Sequence, residues 1–189
     1  MVGSIIPSSA VLARSLSKHA HGAEHIIELG AGTGVITHQL DRSFPLVPLV
    51  VVERDIRMAS ALRARFLRPT IVAANVEDCA HLFDHIPAAS IVVSSLPFRS
   101  LPVPVAGDII RLLTRFLLAS PQRQLAQFSY GHREPFTIPS AGLAWTKHEL
   151  VLRNIPPAWV WTLQQKIRVS EKTNNKIGRS NAASNGSYR

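Results

Sequence analysis

Gly30, Gly32 and Gly34 alternate in the stretch ELGAGTG, straight after an apolar run and before a helix-like pattern. Three glycines in five residues cost backbone entropy, and glycine alone adopts positive φ without strain. Such a turn suits a phosphate cradle, a nucleotide-cofactor turn or a plain strand–helix corner. A dinucleotide turn follows G-x-G-x-x-G/A, and Val35 holds the sixth position counted from Gly30. A phosphate loop needs Lys-Ser/Thr after its last glycine, but Val35-Ile36 follow Gly34. Both phosphate readings are therefore weak. In an open α/β sheet a turn at the carboxyl end of the first strand is well placed for a ligand.

The elements that would position this turn follow from periodicity. The pattern predicts helices over 8–20, 34–41, 56–66 and 106–120. Apolar residues at 109, 110, 112, 113, 116 and 117 make the last of them strongly amphipathic. Strands are predicted over 24–29, 48–53, 70–75, 89–95, 123–130, 147–154 and 158–163. PLVVVE (48–53) is continuously apolar, as a strand covered on both faces should be. The alternation implies an α/β fold, a doubly wound, mostly parallel seven-stranded sheet. Only Ile155-Pro156-Pro157 separate the last two strands, which suggests an antiparallel edge hairpin.

At 189 residues the chain reads as one domain, 1–163, followed by a tail, 164–189. The tail carries Lys166, Arg168, Lys172, Lys176, Arg179 and Arg189 against Glu171, more than half of the net charge of +9. It is polar and is expected to be disordered. Apolar residues make up 46% and mean hydropathy is +0.12, yet no stretch nears the ~18 apolar residues of a membrane span. Pro7, Ser8, Ser9 and Arg14 interrupt the first apolar stretch, so a secretory signal is not expected. The single cysteine, Cys79, excludes an internal disulfide and gives no metal cluster; no metal is expected. A cytoplasmic location fits. Basic charge attracts nucleic acid and anionic lipid alike.

E-x-G-x-G-x-G over 28–34 resembles the first motif of class I S-adenosylmethionine-dependent methyltransferases. The resemblance implies a cofactor site built from Glu28, Gly30, Ala31, Gly32 and Gly34, with Glu28 supplying negative charge near the cationic ligand. It implies that Glu53, beside Arg54 at the end of strand two, accepts the ribose hydroxyl protons. Asp78-Cys79 after strand three would receive the adenine amino group, and Ser94 would end strand four beside the methyl. SSLPF (94–98) looks like the S-G-L-P motif of bacterial phospholipid N-methyltransferases, relatives of the ribosomal RNA adenine dimethyltransferases. VGSIIPSS (2–9), QFSYG (127–131) and NIPPAWVW (154–161) resemble the same family, and the first of these adds Pro7 and Ser8 to the cofactor site. Ser95 stands where that family usually has glycine, which would narrow the acceptor pocket.

The resemblance implies stepwise methylation of phosphatidylethanolamine by a peripheral protein on an anionic membrane surface, at the inner face. The Ser95 and Leu96 carbonyls would orient the amine, Pro97 would shape the turn, and Phe98 would stack on methylammonium species. Tyr130 would be a second pocket wall or proton acceptor. The alternative is an RNA adenine N-methyltransferase; a cofactor-fold module without activity is a third reading. Blander roles remain open: a solvated charge for Glu53, an N-cap for Asp78 or its replacement by Glu77, core packing for Phe98, and a strand-end aromatic for Tyr130. Trp145, Trp159 and Trp161 read as packing. Arg54, Arg57, Arg63, Arg65 and Arg68 form either a solvated face or a contact for lipid phosphates.

Overall fold

A computed structural model describes residues 9–166. Pro7, Ser8 and the tail beyond Lys166 lie outside the described residues. Seven strands form one sheet: β1 (His25–Leu29), β2 (Leu49–Glu53), β3 (Thr70–Ala73), β4 (Ser90–Ser94), β5 (Gln124–Tyr130), β6 (Leu143–Val151) and β7 (Ala158–Gln165). Four α-helices accompany them: α1 (Ala10–Ser17), α2 (Val35–Ser43), α3 (Ile56–Arg65) and α4 (Val103–Leu118). Strand order is β3-β2-β1-β4-β5-β7-β6. The first five strands are parallel; β7 runs antiparallel to both β5 and β6.

Two apolar layers cover the sheet. Leu12 and Leu16 of α1, Ile36 and Leu40 of α2 and Leu62 of α3 pack on one face, over Ile26, Val51 and Val93. On the other, Ile109, Leu113 and Phe116 of α4 meet Ile27, Leu29 and Val92. Burial on both faces explains why the central strands read as unbroken apolar runs.

The antiparallel hairpin closes one end of the sheet as expected, with β6 at the edge and β7 between β5 and β6. β6 starts four residues earlier than its sequence suggested and ends at Val151. Leu143 and Trp145 pack inward and extend it, while the register shifts between Lys147 and Leu150 and breaks the two-residue period. β7 continues two residues past Leu163, to Gln165. α4 begins at Val103 and takes in Pro104, because a first-turn proline sacrifices no helical hydrogen bond.

The order in which strands are added reverses between β1 and β4, which remain parallel. β2 and β3 are laid down on one side of β1, β4 and β5 on the other. A crevice opens above the carboxyl ends of strands at such a switch point. Here it lies between Leu29 and Ser94, which are register partners.

Candidate functional site

The glycine turn leaves β1 at this crevice. Gly30, Gly32 and Gly34 all take positive φ, +77°, +54° and +79°, but they serve different ends. A Cβ on Gly34 would meet Leu62 Cδ2 at 2.5 Å and Phe66 Cε2 at 3.0 Å, so this glycine lets α2 start against α3. A Cβ on Gly30 would meet Leu96 Cδ2 at 3.0 Å and Ser95 Oγ at 3.3 Å. That position touches the loop after β4. Gly32 has nothing within 4 Å of its Cβ direction; it faces open space, a cradle with backbone on one side.

Glu53, at the end of β2, is 7% exposed and reaches the same turn. Its Oε2 accepts from the Gly32 N–H at 2.8 Å and its Oε1 from the Asp55 N–H at 2.8 Å. A carboxylate held by two backbone donors keeps lone pairs for ligand hydroxyls. Arg65 closes the turn from α3, donating to the Thr33 carbonyl at 3.2 Å.

Glu28 is a different kind of acid. It is fully buried, and neither carboxyl oxygen has a hydrogen-bond partner. Thr37 of α2 faces it, its hydroxyl likewise without a bond of regular geometry. Burial drives the Glu28 pKa up to about 8, opposed by Thr37 and reinforced by the charge of Glu53. At neutral pH the unliganded protein therefore carries Glu28 mostly as the neutral acid. A buried carboxyl with no partner beside an open glycine cradle is suited to a cationic ligand.

The loop after β4 is strapped onto this turn. The Ser95 N–H donates to the Leu29 carbonyl at 3.0 Å, and its hydroxyl donates to the Gly30 carbonyl. The serine thus ties the loop after β4 to the glycine turn. Ser94 is fully buried, and its Oγ accepts from the Leu96 N–H at 3.2 Å.

Other sequence-picked residues fall elsewhere. The Leu96 carbonyl already accepts from the Phe98 N–H at 3.0 Å and from Gln127 Nε2 at 3.1 Å, so it is occupied rather than free to orient an amine. Phe98 is 7% exposed and its ring meets Phe136 at 4.6 Å, which places it in the apolar layer under α4. Pro97 is exposed at the bend between them. Tyr130 ends β5 on the face shared with Ala126 and Phe128, the α1 side, while Phe98 packs on the α4 side. The structure does not bring the two rings together.

After β3, Asp78 is exposed and accepts from Asn75 Nδ2 at 3.2 Å. Cys79 needs correction as a ligand contact: its thiol is 1% exposed, bonds the Asn75 carbonyl and sits in the apolar layer, and its N–H donates to Val76. Arg54 is exposed beside Glu53, and Ala31 is buried within the turn. The five arginines do not form one free cationic face: Arg54 and Arg57 are exposed, but Arg63 donates to the Ile71 carbonyl, and Arg68, beyond α3, holds Asp41 with its charged nitrogen 2.6 Å from the carboxylate.

Two residues escaped the sequence reading. Gln127 is 1% exposed; its amide bridges the Leu96 and Phe128 carbonyls while Oε1 is unpartnered. Asn154 is buried in the β6–β7 turn, accepts from the Ser9 N–H at 2.9 Å and donates to the Pro156 carbonyl at 2.8 Å. It ties the segment entering α1 to the far end of the chain. Each opens a stretch already singled out, QFSYG and NIPPAWVW, but neither was given a role.

No protein-family model matches the chain. It is similar to an ornithine lipid N-methyltransferase of Singulisphaera acidiphila, 35% identical over 127 residues, 63% of this chain and 66% of that protein. The chain thus spans just under two thirds of that relative's length. Among solved structures it resembles precorrin-6y C5,15-methyltransferase of Geobacter metallireducens (TM-score 0.62, 11% identity, 88% of this chain and 93% of that one). It also resembles the 23S rRNA methyltransferase ErmE (0.58, 16%, 84% and 69%). A third is a methyltransferase of Podospora anserina bound to S-adenosylhomocysteine (0.61, 11%, 85% and 80%).

Proposed function

We propose that this chain, which has the class I S-adenosylmethionine-dependent methyltransferase fold, methylates the amine of a membrane-lipid headgroup. The observation that carries the reading is the strap between the two motifs: Ser95 fixes the loop after β4 onto Gly30 of the glycine turn. The lipid class is supported by the relative whose name is ornithine lipid N-methyltransferase and by the phospholipid N-methyltransferase-like SSLPF stretch. Phosphatidylethanolamine and ornithine lipid both present a primary amine.

S-adenosylmethionine, when bound, supplies an electrophilic methyl group. Glu53 would take the ribose hydroxyls, the open backbone at Gly32 would admit the nucleoside, and Glu28 would balance the positive charge. The remaining work is positioning, which supplies much of the rate of an in-line transfer. An amine with a lysine-like pKa of about 10.4 costs roughly 4–5 kcal/mol to deprotonate at pH 7. Burial lowers an amine's pKa, and Leu96, Leu101 and Val105 give the loop after β4 apolar, partly buried walls.

Vesicles containing phosphatidylethanolamine or ornithine lipid, with labelled cofactor, test the reading. Label in either lipid is expected. Tight cofactor binding without label in lipid would overturn it, and transfer to structured RNA with a steep salt dependence would replace it. A second measurement concerns Glu53→Ala. Calorimetry is expected to show a loss of cofactor affinity of about 1–3 kcal/mol, from unpaired ligand hydroxyls and a Gly32 N–H without its acceptor. Unchanged affinity would remove Glu53 from the site.

A further inference from the structure

The carboxyl end of the sheet carries apolar side chains that no packing explains. Val103 at the start of α4 is 85% exposed, Leu152 69% and Ile155 82%. The last two sit on the β6–β7 turn. That turn stands above the level at which β4 ends, because Ser94 of β4 is level with Gln127, and Ala158, which follows the turn, pairs with Tyr130 three residues further along β5. Three residues of strand amount to about 10 Å.

The turn is also fixed. Asn154 points inward, bonded to Ser9 and Pro156, while its neighbours Leu152, Arg153, Ile155, Pro156 and Pro157 all face out. A leucine and an isoleucine held outward on an anchored frame mark an interaction surface. The charged residues around them have one predominant sign. Exposed Arg99, Arg133 and Arg153 accompany the apolar side chains on this part of the rim, against one exposed acid, Glu134, in the 131–142 connection.

We infer that Leu152, Arg153 and Ile155 of the β6–β7 turn, with Val103 and Arg99 beside the acceptor loop, dock the protein on an anionic lipid bilayer. The inference rests on the proposed lipid substrate and deepens it. A bilayer interface accepts apolar side chains below the headgroups and cations among them. A nucleic acid would reward only the arginines. From β4 to β6 the rim spans three strand spacings, about 15 Å. The apolar side chains therefore lie beside the loop that receives the acceptor, and lipid amine need not leave the membrane surface to reach it. Leu46 and Leu67, 94% and 95% exposed, precede β2 and β3 at the opposite end of the sheet and take no part.

The test is sedimentation of the full chain with vesicles of phosphatidylglycerol and phosphatidylcholine. Leu152→Ser/Ile155→Ser and, separately, Arg153→Glu are each expected to weaken vesicle partition at least tenfold. Both should keep the wild-type melting temperature, cofactor affinity and methyl transfer to detergent-dispersed lipid amine. Leu46→Ser/Leu67→Ser should sediment like wild type. Wild-type partition by the turn variants overturns the inference, as does failure of the wild-type chain to bind vesicles. Loss of methyl transfer with turn-dependent vesicle binding intact would instead overturn the proposed function and leave the docking surface standing.

Discussion

Glu28→Gln is expected to make the unliganded protein more stable than wild type above pH 6 while weakening its hold on S-adenosylmethionine. The wild-type carboxyl has a folded-state pKa of about 8 against 4.5 for the unperturbed group, and burial is the chief cause. Between these values the unfolded chain has lost the proton and the folded chain has kept it. Stability therefore falls as pH rises from about 4.5 to 8, and flattens above. The full span corresponds to roughly 4–5 kcal/mol at most, since each pKa unit is worth 1.36 kcal/mol. Glutamine has the shape of the neutral acid and no proton to lose, so the variant escapes this slope. At pH 8 its melting temperature should exceed that of wild type by several degrees, and the two should converge near pH 5.

The affinity should move the other way. A cationic ligand favours the carboxylate, so wild-type binding should tighten with pH up to about 8, with release of close to one proton at pH 7. Calorimetry in two buffers of different ionisation enthalpy reads that proton directly. Glu28→Gln should release none and show a flat profile. A wild-type profile already flat between pH 6 and 8 would mean that Glu28 does not sense the ligand's charge.

The second large effect separates two glycines of one turn. Gly34→Ala is expected to destabilise the fold by about 2–5 kcal/mol. A residue with a Cβ pays about 1–2 kcal/mol at left-handed φ, and overpacking adds about 1–3 kcal/mol, here against the buried Leu62 and Phe66. Gly32→Ala pays only the first of these, because its Cβ meets nothing. Its methyl group instead occupies the open cradle, and cofactor affinity should fall at least tenfold. Urea denaturation and calorimetry on both variants would show one change that acts on folding and one that acts on binding. Equal stabilities would refute the packing role of Gly34.

What was legible in the sequence was what local pattern controls. The central strands are buried on both faces, so composition alone marks them, and an acid inside such a run made Glu28 conspicuous. The glycine turn could be read because its positive φ angles are a local constraint, even though Gly30 and Gly34 also meet distant side chains. β6 was misjudged because a register shift at 147–150 disrupts its alternation. Residues whose roles depend on distant partners could not be read. Phe98 looks like a site aromatic until Phe136 is folded onto it. Gln127 and Asn154 hold groups 31 and 145 residues away, and no short window contains both ends of such a bond. Arg63 and Arg65 followed the same rule, since their acceptors are the backbone carbonyls of Ile71 and Thr33.

The bond from Ser9 to Asn154 sets an order of events at the ribosome. α1 is synthesised well before β5, β6 and β7, with all of which it is in contact. At synthesis rates of about 5–20 residues per second, the 145 residues between the two partners take roughly 7–30 s. For that interval the apolar side of α1, with Leu12 and Leu16, lacks its final cover, and Ser9 at its N-terminus lacks its partner. A nascent chain stalled before β7 would lack the strand that joins β5 to β6. It would also present the kind of apolar helix that chaperones retain.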